Sequence, residues 1–430
     1  MVPHQAMAAA SLTAAALALL ALPAAAIVAQ HERADKPKSR ASIADFRKNQ
    51  EVCLDTWPYS PHECRMSEVQ TCPYSSLSTE DSTMIYPGGQ TRCLSNDKPD
   101  FAFQVFPGRT DKLFLMMDAG GAAWDEMSVQ INAANKTFVS PMVGAGLLRK
   151  SEKNPLTDHT VIYIHYCSGD LHVGAATQSY KSADGGPVIQ HGYYNTLSAV
   201  KWAQANLSPK LESLFISGTS AGAIGTQVWA NYLLKTFTYS KATVLADSYV
   251  GVFPANFQGT IFQRMGVCDL DLLSSNLTEK CKNGFITIAD TMEDAIRTYP
   301  TVAFASVNTK YDWVQTTYYR LTCMSVADIA GAVNFDGVQF HSRAKSILER
   351  YNQYPNFVSF MMHHDHHGFT TCDGVFRYYQ KVNETKVKYT DWLRGFPSLG
   401  GKGVSSICGG QQGSDVCDEK LLNKTLDLQQ

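Results

Sequence analysis

Charge is what this 430-residue chain has little of: Asp, Glu, Lys and Arg make up 18% of it, below the roughly 25% usual in soluble domains. Lys and Arg number 37 against 39 Asp and Glu, a formal charge of −2. No basic block exceeds the short stretch from Arg33 to Arg40, so nothing is suited to neutralising a phosphate backbone, and nucleic acid is not an expected partner. No C-x-x-C pair occurs among the eleven cysteines, which disfavours a zinc ribbon or a thioredoxin-type site. There is no internal repeat. Past the N-terminal segment no apolar run is long enough to span a bilayer. Apolar residues at 44% and aromatics at 11% are enough to bury a large core, so a disordered chain is excluded.

What is present begins with a leader. Ala6 to Ala29 is almost wholly apolar and ends in Ala24-Ala25-Ala26, small residues of the kind a signal peptidase cuts beside. The expectation is a signal peptide over 1–29 and a secreted, extracellular protein, with a retained membrane anchor as the competing reading. Residues 30–52 read as a polar linker. Cys53, Cys64, Cys72 and Cys93 stand among Pro, Ser and Tyr without a helical period, so 53–95 is expected to be a disulfide-pinned extension that wraps the core without joining it. An odd cysteine count leaves at least one thiol unpaired within the chain. N-x-S/T sequons start at Asn135, Asn206, Asn276, Asn383 and Asn423, in keeping with a secreted glycoprotein. Residues 96–400 form the main domain and 401–430 a Cys-containing tail.

From about Lys112, short apolar runs alternate with helical segments. Strands are expected at Lys112 to Asp118, Thr160 to Tyr166, Ser213 to Ser217, Ala242 to Ala246, Val302 to Val307 and Phe357 to Met362. Several are apolar on both faces, as buried parallel strands are. Helices are expected at Tyr193 to Asn206, Ala221 to Thr236, Ile286 to Thr298 and Ser342 to Tyr351. The pattern predicts an α/β fold with a doubly wound, mostly parallel sheet in a single large domain. In such a sheet the site lies past the carboxyl ends of the strands.

One of those ends reads Gly218-Thr219-Ser220-Ala221-Gly222: G-x-S-x-G between a strand and a helix, the setting of a nucleophile elbow. The turn lifts the Ser220 hydroxyl above the sheet, and the Ala221 amide at the helix N-terminus faces a developing oxyanion. A serine nucleophile needs an acid and a histidine later in the chain. Asp312 follows one strand, and Asp247, after another, is the competing acid. His363-His364-Asp365-His366-His367 follows the last strand. Four adjacent histidines suit a metal by chemistry, yet neighbours in one loop rarely converge on one ion, so one catalytic histidine and no metal is expected. Gly120, Gly121 and Ala122, after the strand ending near Asp118, can turn backbone amides inward as the second half of an oxyanion hole, with Gly121 and Ala122 the candidates.

Taken in order, these blocks resemble the pectin acetylesterase and Notum-like carboxylesterase family. The carriers are Ala119-Gly120-Gly121-Ala122-Ala123-Trp124, Tyr166-Cys167-Ser168-Gly169-Asp170, Ser217-Gly218-Thr219-Ser220-Ala221-Gly222, Tyr311-Asp312-Trp313-Val314-Gln315 and the late Asp391-Trp392. They cover about Tyr86 to Phe396. The family's histidine comes seven residues after a Phe or Tyr, which counted from Phe360 is His367; His363 is the alternative. Two departures stand out: Ala119 replaces the family's first glycine, and Ala123 a cysteine found before the Trp in many relatives, so that a disulfide of the family is missing here.

The resemblance implies an α/β-hydrolase-like fold and a serine carboxylic ester hydrolase with Ser220, His367 and Asp312 as its triad, needing no cofactor. It implies removal of O-acetyl groups from a cell-wall polysaccharide such as pectin. The alternatives are a Notum-like deacylase that removes a fatty acyl group from a protein, and a catalytically inactive binding protein of the same fold. Substrate-pocket candidates are Trp124, Tyr166, Ser168 and Asp170, with Tyr249 and Trp313 as further aromatics for an open polysaccharide groove.

Overall fold

The computed structural model describes residues 60–182, 185–382, 385–409 and 424–428. By their contacts, residues of the chain divide into Met1–Leu54 and Asp55–Gln430, and the described residues all belong to the second unit. The expected signal peptide and linker, Cys53, Cys417 and the sequons at Asn383 and Asn423 lie outside the described residues.

Among the described residues there are fourteen strands. Ten form one sheet, in the order β1 (His62–Arg65), β2 (Thr83–Tyr86), β3 (Phe103–Phe106), β5 (His159–Ile164), β4 (Arg109–Met117), β8 (Leu211–Thr219), β9 (Tyr239–Asp247), β10 (Ala303–Thr309), β11 (Phe357–Met362) and β14 (Ile407–Cys408). Only β3 runs against the others. Two hairpins stand apart, β6 (Ala176–Lys181) with β7 (Pro187–Gln190) and β12 (Tyr379–Val382) with β13 (Thr385–Lys388). The central strands are apolar on both faces because helices cover both: Leu214, Phe215 and Ile216 of β8 are wholly buried.

The helices are α1 (Glu126–Gln130), α2 (Gly192–Asn206), α3 (Ala221–Thr236), α4 (Phe257–Arg264), α5 (Ser275–Lys282), α6 (Ile288–Thr298), α7 (Trp313–Ser325), α8 (Ile329–Asn334), α9 (Gly337–Tyr351) and α10 (Tyr389–Arg394). All six expected strands are present, and α3 and β11 have the expected bounds. Helix α9 starts at Gly337, earlier than the expected Ser342. Asp336 and Gln339 form a capping box there, which fixes the first turn.

The fold is the expected one, with a correction at the N-terminal side. Cys64–Cys72 and Cys93–Cys167 pin the extension, yet from residue 60 onward it does more than wrap the core. Strands β1 and β2 extend the sheet edge, and Cys72, Leu77, Ile85 and Cys93 are buried in the main core. A third disulfide joins Cys268 to Cys281. Cys323 on α7 is a buried free thiol, which burial raises to about 11.

Candidate active site

Strand β8 ends at Thr219 and α3 begins at Ala221, so Ser220 alone makes the turn. Its φ of 57° and ψ of −116° are a sparsely populated conformation that costs about 1–3 kcal/mol and is held by its surroundings. The Ser220 amide donates to the Asp247 carbonyl at 2.9 Å, and its carbonyl accepts from Ala223 and Ile224. Helix α3 can lie this close to β4 because residue 222 has no side chain: a Cβ there would stand 2.1 Å from the Met117 carbonyl oxygen.

Asp312 follows β10 and caps α7. Its Oδ1 accepts from the Gln315 amide at 2.9 Å, and its Oδ2 accepts from Gln315 Nε2 at 2.8 Å and meets His367 Nδ1 at 2.8 Å. A carboxylate in this position only accepts, so Nδ1 is the donor, and in the neutral ring this makes Nε2 the nitrogen with the lone pair. Nε2 is buried and finds no hydrogen-bond partner among the described residues, Ser220 Oγ included. Contacts of this kind are often loose in unliganded enzymes.

The other histidines go elsewhere. His363 stacks edge-on against Tyr311, with its amide donating to Gln380, His364 Nδ1 receives the amides of Asp365 and His366, and His366 Nε2 pairs with the Tyr378 hydroxyl. Asp247 does not reach His367 Nδ1. Its carboxylate instead binds Thr219 and the backbone at Phe369 and Thr370.

Beyond β4 the chain turns through Gly120 and Gly121. Gly121 has φ +72°, and a Cβ there would stand 1.9 Å from the Ala133 carbonyl oxygen and 2.2 Å from the Tyr318 hydroxyl. The expected donors differ in one respect. Ala122 N is already bonded to Ala133 O at 3.2 Å, whereas the amides of Gly121 and Ala221 have no such bond among the described residues. Those two amides belong to residues that line a cavity with Ser220.

An ion pair anchors the loop at its root: Lys136 Nζ meets both Asp118 oxygens, at 2.6 and 2.7 Å. Burial pushes the Asp118 carboxyl up, but Lys136, then His165 and Tyr163, hold it below the ordinary carboxylate value.

The cavity is narrow: about 30 Å³ of it is open to the centre of a water molecule. Tyr318 and Thr322 of α7, Phe257, Ile261 and Phe262 of α4, and Ile288 of α6 form much of its wall. Of the pocket candidates, Trp124 and Tyr249 line it. Tyr166, Ser168 and Asp170 do not. The Tyr166 hydroxyl is turned inward, donating to the Gly121 carbonyl at 2.8 Å and accepting from the Leu171 amide. Ser168 donates to Asp170 at 2.6 Å, and Asp170 accepts the Gly192 amide at the start of α2. Burial raises the Asp170 carboxyl to about 6, so the pair is helix-capping chemistry sealed inside the protein. Trp313 is 45% exposed and outside the cavity.

With this geometry in place, the sequence comparison is specific. A sequence model of the family described as pectinacetylesterase matches residues 98–372, a span that contains Gly121, Ser220, Asp312 and His367. The chain belongs to the pectinacetylesterase family. Two crystal forms of the Wnt deacylase Notum from Drosophila share the fold. One is 14% identical with a TM-score of 0.52, covering 77% of this chain and 98% of that one. The other is 12% identical with a TM-score of 0.53, covering 78% and 99%. No curated protein matches at the sequence level. Family and fold support a carboxylic ester hydrolase.

Two features of this pectinacetylesterase family member escaped the sequence, and a third, Gln315, stood in the block around Asp312 without a role. Helix α4 is short and carries Gly259, yet its apolar residues at 257, 261 and 262, with Met265 just past its end, keep helical spacing and were the available sign of a cavity wall. Gln315 grips Asp312 because Asp-x-x-Gln places it at the third helical position. Lys136 carries no motif; only the fold brings it to Asp118.

Proposed function

We propose that the protein hydrolyses carboxylic esters through an acyl-enzyme on Ser220. His367 Nε2 takes the Ser220 hydroxyl proton as Oγ attacks the ester carbonyl, then passes it to the leaving alcohol. Asp312 holds the imidazole in the required tautomer. The amides of Gly121 and Ala221 face the tetrahedral oxyanion, where one donor is worth roughly 10²-fold or more in rate. Water, activated by the same histidine, then releases the acid. The observation that carries this reading is the 2.8 Å contact of Asp312 with His367 Nδ1, which leaves Nε2 buried and unbonded, while the next residue, Gly368, packs against Thr219 of the elbow.

For the substrate, family membership supports an O-acetyl ester on a polysaccharide such as pectin. A second reading, a longer fatty acyl chain, is favoured by the chemistry of the cavity wall: Trp124, Ile224, Phe257, Ile261 and Ile288, all apolar, line it together with Ser220. Disulfides such as Cys64–Cys72, Cys93–Cys167 and Cys268–Cys281 support an oxidising, extracellular location.

Hydrolysis of one chromogenic alcohol esterified with acids from acetate to dodecanoate, with Ser220→Ala as control, tests both levels. Ser220→Ala is expected to stay folded and to lose about 10⁴-fold or more in turnover; retained activity overturns the mechanism. A maximum at acetate supports the polysaccharide deacetylase, and a maximum at eight carbons or beyond supports the deacylase.

A further inference from the structure

We infer that Asp247 is a positioning residue for the reaction: with Ser248 it locks the backbone that follows His367 to the elbow that carries Ser220. The inference rests on the reading of Ser220 and His367 as nucleophile and base.

Asp247 ends β9 and is wholly buried. Its Oδ2 accepts from Thr219 Oγ1 at 2.9 Å, from the Phe369 amide at 2.9 Å and from the Thr370 amide at 2.8 Å. Its Oδ1 accepts from Ser248 Oγ at 2.8 Å, and that hydroxyl in turn accepts from the Gly368 amide at 2.9 Å. Its carbonyl accepts the Ser220 amide at 2.9 Å. Asp247 and Ser248 together therefore bind Thr219 and Ser220 on one side and the three residues after His367 on the other.

Two details separate this from ordinary packing. Every group around the carboxylate is a donor, which suits an ionised acid and no other side chain of that size. Ser248 adopts φ +58°, a conformation non-glycine residues rarely enter, and in it the hydroxyl reaches the Gly368 amide. Strain of this sort persists where the surroundings fix it, and it clusters at functional sites. Asp312 grips only the ring of His367, about which the imidazole could pivot. Asp247 and Ser248 fix the main chain, and with it the direction of Nε2. Asp247 does not line the cavity, so it acts only through Ser220 and His367.

The test is Ser248→Ala, which removes one hydroxyl and no charge. Competent sites are counted by endpoint titration with a fluorophosphonate, and folding by circular dichroism. Acylation and deacylation both need His367, so both slow together. The expected result is a fall in kcat per titrated site of about tenfold or more with KM within about twofold. In an Asp312→Asn background, where the imidazole has already lost its orienting acid, Ser248→Ala is expected to cost less than about threefold, the non-additivity of residues acting through one group. Thr219→Val serves as a second variant of the same kind, and Asp247→Asn as a larger perturbation.

Wild-type kcat per site in both Ser248→Ala and Thr219→Val overturns the inference, as does an equal fold-loss in the two backgrounds. Failure of Ser220 to label in the wild-type protein is a different result, which overturns the nucleophile assignment beneath it.

Discussion

His367 Nδ1 lies 2.8 Å from Asp312 Oδ2, a contact between residues 55 positions apart that the parallel pairing of β10 with β11 makes possible. Both residues sit in loops past the carboxyl ends of those strands. Asp312→Asn keeps the size and the helix cap but offers an amide to a ring nitrogen that must donate, and so selects the wrong tautomer. Steady-state kinetics should show kcat lowered by about 10⁴-fold, with the melting temperature nearly unchanged. A variant within tenfold of wild type would move the orienting role elsewhere.

Lys136→Met would strand a buried carboxylate. Breaking a fully buried pair costs about 3–5 kcal/mol; Lys136 is 41% exposed, so about 2 kcal/mol is expected once solvent screening is allowed for. The sign with pH is set by Asp118, whose folded value is depressed. Its stabilisation is present above the ordinary carboxylate range and is lost as pH falls through the depressed value. Denaturant melts between pH 7 and pH 3 should therefore converge for the two proteins at low pH. Parallel curves would show that the pair contributes nothing.

At Gly121 the expectation concerns rate more than stability. A methyl group there must displace the Ala133 carbonyl or the Tyr318 hydroxyl and must tolerate φ +72°, so the loop shifts and its amide leaves the oxyanion position. Gly121→Ala should lower kcat by about 10²-fold while Ser220 still reacts with a fluorophosphonate, though more slowly. Wild-type turnover in this variant would remove Gly121 from the oxyanion site.

How far the sequence reached follows from which forces are local. The elbow at Ser220 was legible because one segment contains strand, turn and helix, and the burial of β8 and α3 is written in their apolar runs. The order of Asp312 and His367 was legible for the same reason, each lying in a polar loop just past a strand. Choosing His367 over His363 needed the family's count, since every residue from 363 to 367 except Asp365 is the same imidazole. The inward turn of Tyr166, Ser168 and Asp170 was not legible: Tyr166 and Asp170 find partners in Gly121 and Gly192, 45 and 22 positions away, and a polar triplet after a strand reads equally well as a pocket. Strands β1 and β2 were missed because strands of four residues carry little period-two signal.

Ile261 tests where the acyl group goes. It stands on α4, one of the walls facing Ser220, and is 4% exposed. Ile261→Trp adds an indole where a longer chain would lie, with little reach toward the reacting carbonyl. If the cavity holds the acyl chain, activity on octanoyl and longer esters should fall by about tenfold or more while acetyl ester hydrolysis stays within about threefold, because a blocked apolar contact is worth about 1–3 kcal/mol of discrimination. The same loss on all chain lengths would mean that the substitution disturbs the catalytic groups. No loss on any would mean that the chain leaves Ser220 by another route and that α4 is core.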